Sequence, residues 1–186
     1  MVLGYHVIFG AYGFWLPNDP RGSWSQFVGA WELLRFGPAT KTDQRRSVAR
    51  TSHDWAARRA AKDALHYPAV SFDGIQARAV ERGFAKYIQR SRLTVWAQSI
   101  MPEHTHLVIG RHDFDVEKVV IQLKGYATRQ LRAEGFHPPS RCWARGEWKV
   151  FLDSPEDIQR AIRYVEENPK KEGLPRQHWK SVRAFP

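Results

Sequence analysis

The chain has 186 residues and a formal net charge of +10, with 42% hydrophobic and 26% charged residues. This ordinary globular mixture excludes a disordered or fibrous protein, and no stretch approaches the roughly 18 consecutive apolar residues that a membrane-spanning helix needs. The single cysteine, Cys142, excludes an internal disulfide. We therefore expect one soluble domain over residues 1–186, with no membrane association, in a reducing cytoplasm.

The positive charge favours a polyanionic partner, and nucleic acid is the commonest polyanion in a cytoplasm. Surplus Lys and Arg also keep proteins soluble, so the charge alone leaves both interpretations open. The 8 Trp, 6 Tyr and 10 Phe residues add flat rings on which unpaired bases stack, although most of these rings are expected in the core. Together these features favour single-stranded or distorted nucleic acid over a small molecule.

The N-terminal part of the chain combines a strand with a long irregular segment. Residues 3–16 are apolar, aromatic and interrupted by glycine, which predicts a buried strand. The apolar residues of 18–70 follow no clear helical or strand periodicity. Within this segment, a basic, alanine-rich stretch from about Asp54 to Leu65 predicts a helix. This segment has too few apolar residues to fold alone, so we interpret it as an insertion packed on the core.

A helix and a hairpin follow. Residues 75–91 repeat apolar side chains at helical spacing. Residues 93–100 and 104–110 are rich in β-branched and aromatic residues, and the short connection between them predicts a hairpin. Residues 115–134 again have the helical period, and a short strand is expected over 148–152.

The last helix has the clearest boundary signals. Ser154 is a typical N-cap, Pro155 suits the first helical position, and Asn168-Pro169 is expected to end the helix. The order of the elements predicts an α+β fold in which the helices lie on one face of an antiparallel sheet, as in ferredoxin-like folds.

Two histidines in the second strand of the hairpin form the first candidate site. Side chains alternate along a strand, so His104 and His106 project to the same side and are able to share a metal ion. A His-x-His pair by itself is more often a feature of a half-exposed strand without such a role.

A tyrosine and an asparagine in the last helix strengthen this hypothesis. Tyr164 and Asn168 lie one turn apart, beside the apolar stripe of the helix. If the helix crosses the histidine strand, two imidazoles, an amide oxygen and a phenol converge, and a divalent ion held there keeps positions open for phosphate oxygens. Taken alone, Tyr164 is more often a tyrosine at the edge of the core, and Asn168 is more often a helix C-cap before Pro169.

Three segments carry a resemblance to a known family. Residues 101–108 (MPEHTHLV) resemble the MPNHxH strand of the HUH tyrosine transposases of the small insertion-sequence type. Residues 164–169 (YVEENP) resemble the YIxxNP helix end of their REP-associated relatives, the RAYT proteins, and residues 11–23 are similar to a TYGTWLPGDxRG segment in one branch. Thr105 departs from the usual hydrophobic residue between the histidines, and the resemblance assigns no role to residues 24–70.

The resemblance implies an activity and a set of site residues. It implies cleavage and rejoining of single-stranded DNA through a 5′-phosphotyrosine, with Tyr164 as nucleophile. His104 and His106 match the metal-binding pair, and Asn168 stands where the family has an amide ligand to Mg²⁺ or Mn²⁺. The implied partner is single-stranded or hairpin DNA, bound by a monomer or homodimer at the nucleoid in a bacterial cytoplasm. Tyr126 is a rival nucleophile that we interpret as a packing residue.

Several basic residues are candidates for contacts with the DNA backbone, although a solvated surface explains each of them equally well. They are Lys118, Lys124, Arg129 and Arg132 off the apolar stripe of one helix, Lys170 and Lys171 near the end of the last helix, and Arg21. The sequence is also compatible with two other functions. One is a non-catalytic, domesticated protein that binds DNA hairpins, and the other is a metal-dependent phosphoesterase that uses water.

Overall fold

Four strands form one sheet, and helices cover both of its faces. The computed structural model describes residues 1–42, 52 and 54–186. In chain order, its elements are strand β1 (Gly4–Gly10), a short 3-10 helix (Trp31–Phe36), α1 (Trp55–Asp63), α2 (Gly74–Ser91), β2 (Val95–Ile100), β3 (His104–Gly110), α3 (Val116–Ala133), β4 (Trp148–Leu152) and α4 (Pro155–Lys171). No helix in this described part of the chain is both long and apolar enough to cross a membrane.

The strand order in the sheet is β2-β3-β1-β4, and every neighbouring pair is antiparallel. The first strand in sequence therefore lies between β3 and β4, and β4 forms an edge. This is the arrangement of a βαββαβ unit with ferredoxin-like topology. The predicted α+β class and antiparallel sheet are confirmed.

Helices α2 and α3 cover one face of the sheet. The alternation along β1 and β3 directs Val7, Phe9, Leu107 and Ile109 into the core beneath these helices. The two helices approach each other closely at Gly83, where an added Cβ would lie 2.6 Å from the Cα of Ala127. The glycine that interrupts the helical pattern of the sequence is therefore required by helix packing.

Helix α4 covers the opposite face, which differs from the expectation that all helices share one face. Val108 of β3 is fully buried and packs in a second core with Ile158 and Val165 of α4. The reason is that every residue of β3 is buried, on both faces of the sheet. One face is covered by α2 and α3, so α4 must exclude water from the opposite face. The histidine strand thus lies beneath α4.

Helix α4 also extends past the expected end at Asn168-Pro169 and continues to Lys171. A proline inside a helix removes the donor to the carbonyl four residues before it and normally kinks or ends the helix. Asn168 and Pro169 are buried against the sheet, and the amide of Glu172 still donates to the carbonyl of Asn168 at 3.2 Å. Burial and the remaining hydrogen bonds therefore keep the last turn helical.

The segment after β1 leaves the sheet earlier than expected. The strand ends at Gly10, and a buried carboxylate, Asp19, anchors the following turn by ion pairs with Arg21 and Arg58. Burial alone would raise the pKa of Asp19, but hydrogen bonds and charge from the two arginines hold it below its usual range. The predicted insertion over 18–70 falls partly on residues 43–51 and 53, which lie outside the described residues.

Candidate functional site

The histidine pair of β3 lies on the sheet face that α4 covers. Pairing with β1 places His104 opposite Gly10 and His106 opposite Ile8. The two imidazole rings meet edge to face, with their centroids 4.9 Å apart. The alternation of the strand therefore brings both rings together beneath α4.

Both histidines are buried, which decides their charge. His104 is 8% exposed and His106 is 3% exposed. Burial lowers the pKa of His104 to about 4. Burial also lowers the pKa of His106 well below its usual value, and repulsion from His104 and His6 lowers it further. At neutral pH both imidazoles are uncharged, so each has a nitrogen lone pair able to bind a cation.

A third histidine, His6 of β1, joins this pair. Its Nε2 atom lies 3.1 Å from Nδ1 of His106, and the two rings stack with centroids 5.3 Å apart. Burial lowers the pKa of His6 to about 4, so two neutral rings share one proton between these nitrogens. If His106 donates this proton, its Nε2 lone pair is free for a ligand. The sequence signal was a lone histidine in an apolar strand, and the register between strands was needed to interpret it.

Tyr164 of α4 lies next to the histidines. Its ring is edge-on to the rings of His106 and His6, at centroid distances of 5.7 and 5.6 Å. The side chain is 40% exposed, and Nζ of Lys171 lies 4.8 Å from the ring centroid. A phenol that is packed on one side and open on the other has the placement that a nucleophile needs.

Asn168 lies on the same face of α4, between two residues that contact the histidine strand. Tyr164 precedes it by one turn and contacts His106, and Glu172 follows it by one turn, with Oε1 3.8 Å from Nε2 of His104. Asn168 is 7% exposed, and its Nδ2 atom is buried without a hydrogen-bond partner. A buried N–H donor without a partner is costly, so this atom suits an acceptor such as a phosphate oxygen, whereas a cation would bind through the amide oxygen.

The donor set fits a divalent ion with open coordination positions. Two neutral imidazoles and the Asn168 amide supply nitrogen and oxygen donors of the kind that Mn²⁺ accepts. The residues that the structure describes contain no group of three or more His, Cys, Asp and Glu suited to a metal ion. The amide of Asn168, on the face of α4 that covers the histidine strand, is a candidate for the third donor.

The sequence also gave no signal for Glu172, which follows the expected end of the helix. Burial and the charge of Glu103 raise the pKa of Glu172. Its carboxylate faces His104, and about half of the side chain is exposed. It adds negative charge at the same end of the site.

The central and C-terminal parts of the chain match a known protein family. The family model described as "Transposase IS200 like" matches residues 67–168, which is more than half of the chain and includes the histidine pair, Tyr164 and Asn168. The chain belongs to the IS200-like transposase family. Its function is therefore of the DNA-transposase type, and it binds DNA.

The solved structure of one transposase shares the fold. The chain resembles the REP-associated tyrosine transposase bound to a REP hairpin with a TM-score of 0.51 and 13% identity, over 93% of this chain and 70% of that chain. It also matches a Deinococcus radiodurans R1 protein classed as a transposase, with a TM-score of 0.43 and 15% identity over 90% and 91% of the two chains. No curated protein sequence matches it significantly.

Four basic candidates of this transposase-family protein lie on α3, across the sheet from the histidines. The ammonium of Lys124 donates to the carbonyls of Ala144 and Gly146 at 3.0 and 2.7 Å, and burial lowers its pKa to about 8. Lys118 pairs with Asp115, whereas Arg129 and Arg132 are exposed. Of these four, Lys124 is the least available to a phosphate.

The remaining basic candidates lie nearer to Tyr164. Lys170 and Lys171 occupy the exposed last turn of α4, and Lys171 also pairs with Glu167 at 3.1 Å. The guanidinium of Arg21 is bound to Asp19 and packs over Trp15, so it supports the N-terminal segment. Lys171 is therefore the basic candidate in contact with the phenol ring.

The rival nucleophile, Tyr126, belongs to α3 and so lies on the other side of the sheet. Its hydroxyl accepts a hydrogen bond from Nη1 of Arg90 at 3.1 Å, and the guanidinium of Arg129 packs over its ring. The sheet separates Tyr126 from the histidines.

The stability of the metal-free transposase-family protein is expected to decrease as the pH falls from about 6.5 to about 4. The pKa of His6 and of His104 is about 4 in the folded state, whereas an unfolded histidine titrates near 6.5. The unfolded chain therefore binds more protons in this window, which costs roughly 1 kcal/mol of unfolding free energy per pH unit for each histidine.

Urea denaturation in EDTA over this range measures the effect. Glu172, with its raised pKa, opposes the trend near its lower end, but it is half-exposed and its contribution is small. A denaturation midpoint that stays constant between pH 7 and pH 5 would contradict the prediction.

Proposed function

We propose that this protein cleaves and rejoins single-stranded DNA beside a hairpin, through a covalent 5′-phosphotyrosine at Tyr164. One observation carries the proposal: a half-exposed phenol lies edge-on to a buried histidine pair, at 5.7 Å from the ring of His106. The choice of DNA is supported by the net charge of +10 and by the fold shared with a transposase solved on a REP hairpin.

The histidine pair and the amide of Asn168 have the role of metal ligands in this proposal. His104 and His106 are neutral and buried, so each offers a nitrogen lone pair, and Asn168 offers its amide oxygen to Mg²⁺ or Mn²⁺. Such an ion, when bound, polarises the scissile phosphate and offsets charge on its oxygens. His6 holds the ring of His106 through the Nε2–Nδ1 contact of 3.1 Å.

Tyr164 supplies the nucleophile. Its hydroxyl oxygen forms a bond to phosphorus as the bond from phosphorus to the 3′-oxygen breaks, and that oxygen leaves as a 3′-hydroxyl. The phenol is 40% exposed, so its proton passes to water, and water protonates the leaving oxygen. The phosphotyrosine ester retains the energy of the cleaved bond, and a second 3′-hydroxyl reverses the step without ATP.

The basic surface has the task of holding the strand. Lys170 and Lys171 follow Tyr164 on α4 and are assigned to phosphates next to the scissile one. Lys118, Arg129 and Arg132 lie on the other side of the sheet from Tyr164. They contact phosphates only where the bound DNA extends to that side. Because DNA is the substrate, the protein acts at the nucleoid, as a monomer or homodimer.

The test uses a labelled DNA hairpin with unpaired flanks, incubated with Mg²⁺ or Mn²⁺. The expected result is a protein–DNA band that survives denaturing electrophoresis, with the phosphotyrosine mapped to Tyr164 by mass spectrometry. Tight binding with neither adduct nor cleavage would favour a DNA-binding protein without catalysis. Cleavage that persists in Tyr164→Phe and disappears in His104→Ala would favour a phosphoesterase that uses water.

A further inference from the structure

Three tryptophans form a stack at the edge of the sheet, which we call the tryptophan stack: Trp15, Trp24 and Trp148. The ring centroids of Trp15 and Trp24 are 5.8 Å apart with the planes 10° from parallel, and those of Trp24 and Trp148 are 4.7 Å apart at 18°. Trp24 is 41% exposed and Trp148 is 37% exposed. Indoles that serve only as core are buried more completely than this.

The stack lies beside the histidine site at two points. Trp148 begins β4 opposite Ile8 of β1, and Ile8 in turn pairs with His106, so all three share one row across the sheet. At the other end, Trp15 contacts the ring of Phe14, which stacks on His104 with centroids 4.5 Å apart. The tryptophan stack is therefore continuous with the site on the same face of the sheet.

An open cleft of about 430 Å³ separates β4 from α4 on this face. Val150, two residues after Trp148 and on the same side of β4, lines it together with His6, Arg160 and Tyr164. The lining of the cleft follows β4 from Val150 to Leu152, and Arg160, paired with Asp157, places a guanidinium on its wall. Trp148 lies just beyond Val150 on the same side of β4, so a strand whose phosphate lies at Tyr164 reaches this ring by extending past Val150.

The base of the stack is held rigidly. Nε1 of Trp15 donates to the carbonyl of Gly22 at 3.0 Å. The guanidinium of Arg21 lies 4.2 Å from the ring centroid of Trp15 and is fixed by the fully buried carboxylate of Asp19. A flat surface ordered before binding loses little conformational entropy when a ligand stacks on it. This also gives a reason for Arg21: it supports the stack instead of contacting phosphate.

We infer that the tryptophan stack is a subsite for unpaired bases of the DNA strand whose phosphate lies at Tyr164. This inference rests on the proposed function for the identity of the ligand. Base–indole stacking needs an exposed π-face and tolerates any base. Trp148 ends the stack, so another indole covers only one of its faces, and it is 37% exposed in a protein of net charge +10. The subsite binds one or two bases and so fixes the distance from a hairpin to the cleaved bond.

The test measures binding of a labelled hairpin with unpaired flanks by fluorescence anisotropy. All proteins carry Tyr164→Phe, so that no cleavage occurs. Trp148→Ala is expected to raise the dissociation constant about 5- to 150-fold, the range of one lost stacking contact. Trp31→Ala is the matched control, because Trp31 is 78% exposed and lies outside the stack, on the 3-10 helix; it is expected to bind within about twofold of the parent.

Abasic substitutions in the DNA make the test specific. Removing the base at one or two unpaired positions is expected to weaken binding to the parent by the same factor, and to have no further effect on Trp148→Ala. Abasic penalties that persist undiminished in Trp148→Ala, or equal losses in Trp148→Ala and Trp31→Ala, would overturn the subsite. If Trp148→Ala fails to fold, Trp148→Leu and Trp148→Phe replace it: only the aromatic variant is expected to retain binding.

The outcome also separates this inference from the proposed function. If wild-type protein forms the phosphotyrosine adduct but Trp148→Ala binds DNA as tightly as its parent, the subsite is wrong and the proposed function stands. If no DNA gives an adduct but the coupling between Trp148 and an abasic position is observed, the proposed function is wrong and the subsite stands.

Discussion

Replacing Tyr164 by phenylalanine is expected to abolish the covalent protein–DNA adduct and to reduce strand cleavage by at least about a thousandfold. The substitution removes the attacking oxygen and keeps the ring, whose edges contact His6 and His106. Folding and DNA binding should therefore stay close to those of the wild type. Gel assays of labelled DNA measure cleavage and adduct, and anisotropy measures binding.

Tyr126→Phe is the matched control for this prediction. It also removes one phenolic oxygen, here the one that accepts a hydrogen bond from Arg90 on the far side of the sheet. We expect this variant to form the adduct at the wild-type rate. An adduct that persists in Tyr164→Phe but is lost in Tyr126→Phe would exchange the two roles and refute the assignment.

Replacing His106 by alanine is expected to weaken Mn²⁺ binding by at least about a hundredfold, as measured by calorimetry at neutral pH without DNA. The variant removes one of two neutral, buried imidazoles and leaves His104 and Asn168, which are too few donors to hold the ion. His6→Ala is expected to have a smaller effect, about 10- to 100-fold, because it removes only the partner that orients His106.

His137→Ala is the control, since it removes an exposed imidazole from the loop after α3. We expect its Mn²⁺ affinity to equal that of the wild type. Equal affinities for wild type and His106→Ala would exclude the histidine pair as a metal site. Equal losses for His106→Ala and His137→Ala would indicate nonspecific binding to surface imidazoles.

The parts of the site that lie close together in sequence could be predicted from it. Strand alternation placed His104 and His106 on one face, and the helical period placed Tyr164 and Asn168 one turn apart. Both relations are local, and the fold preserves them. The same holds for the hairpin and for the start of α4, where Ser154 accepts a hydrogen bond from the amide of Asp157, as the capping pattern predicts.

The parts that depend on tertiary packing could not be predicted. His6 joins the site only because β1 pairs with β3 in a particular register, and no local pattern determines that register. The tryptophan stack needs the path of the chain after β1, where Trp15 meets Trp24 and Trp24 meets Trp148 from β4. Burial of Pro169 against the sheet likewise overrode the local signal that a helix should end there.

The central position of β1 has a consequence for the order of events during synthesis. His6 and His106 are 100 residues apart in the chain, and the contact between Tyr164 and His6 spans a still longer separation. Such long-range pairing is slow, since the loop between the partners must close before any contact compensates for its entropy. A nascent chain whose α4 has not yet emerged from the ribosome therefore lacks the packing of Tyr164 against His6 and His106. Nuclease chemistry of the proposed kind is confined to the fully synthesised, folded protein.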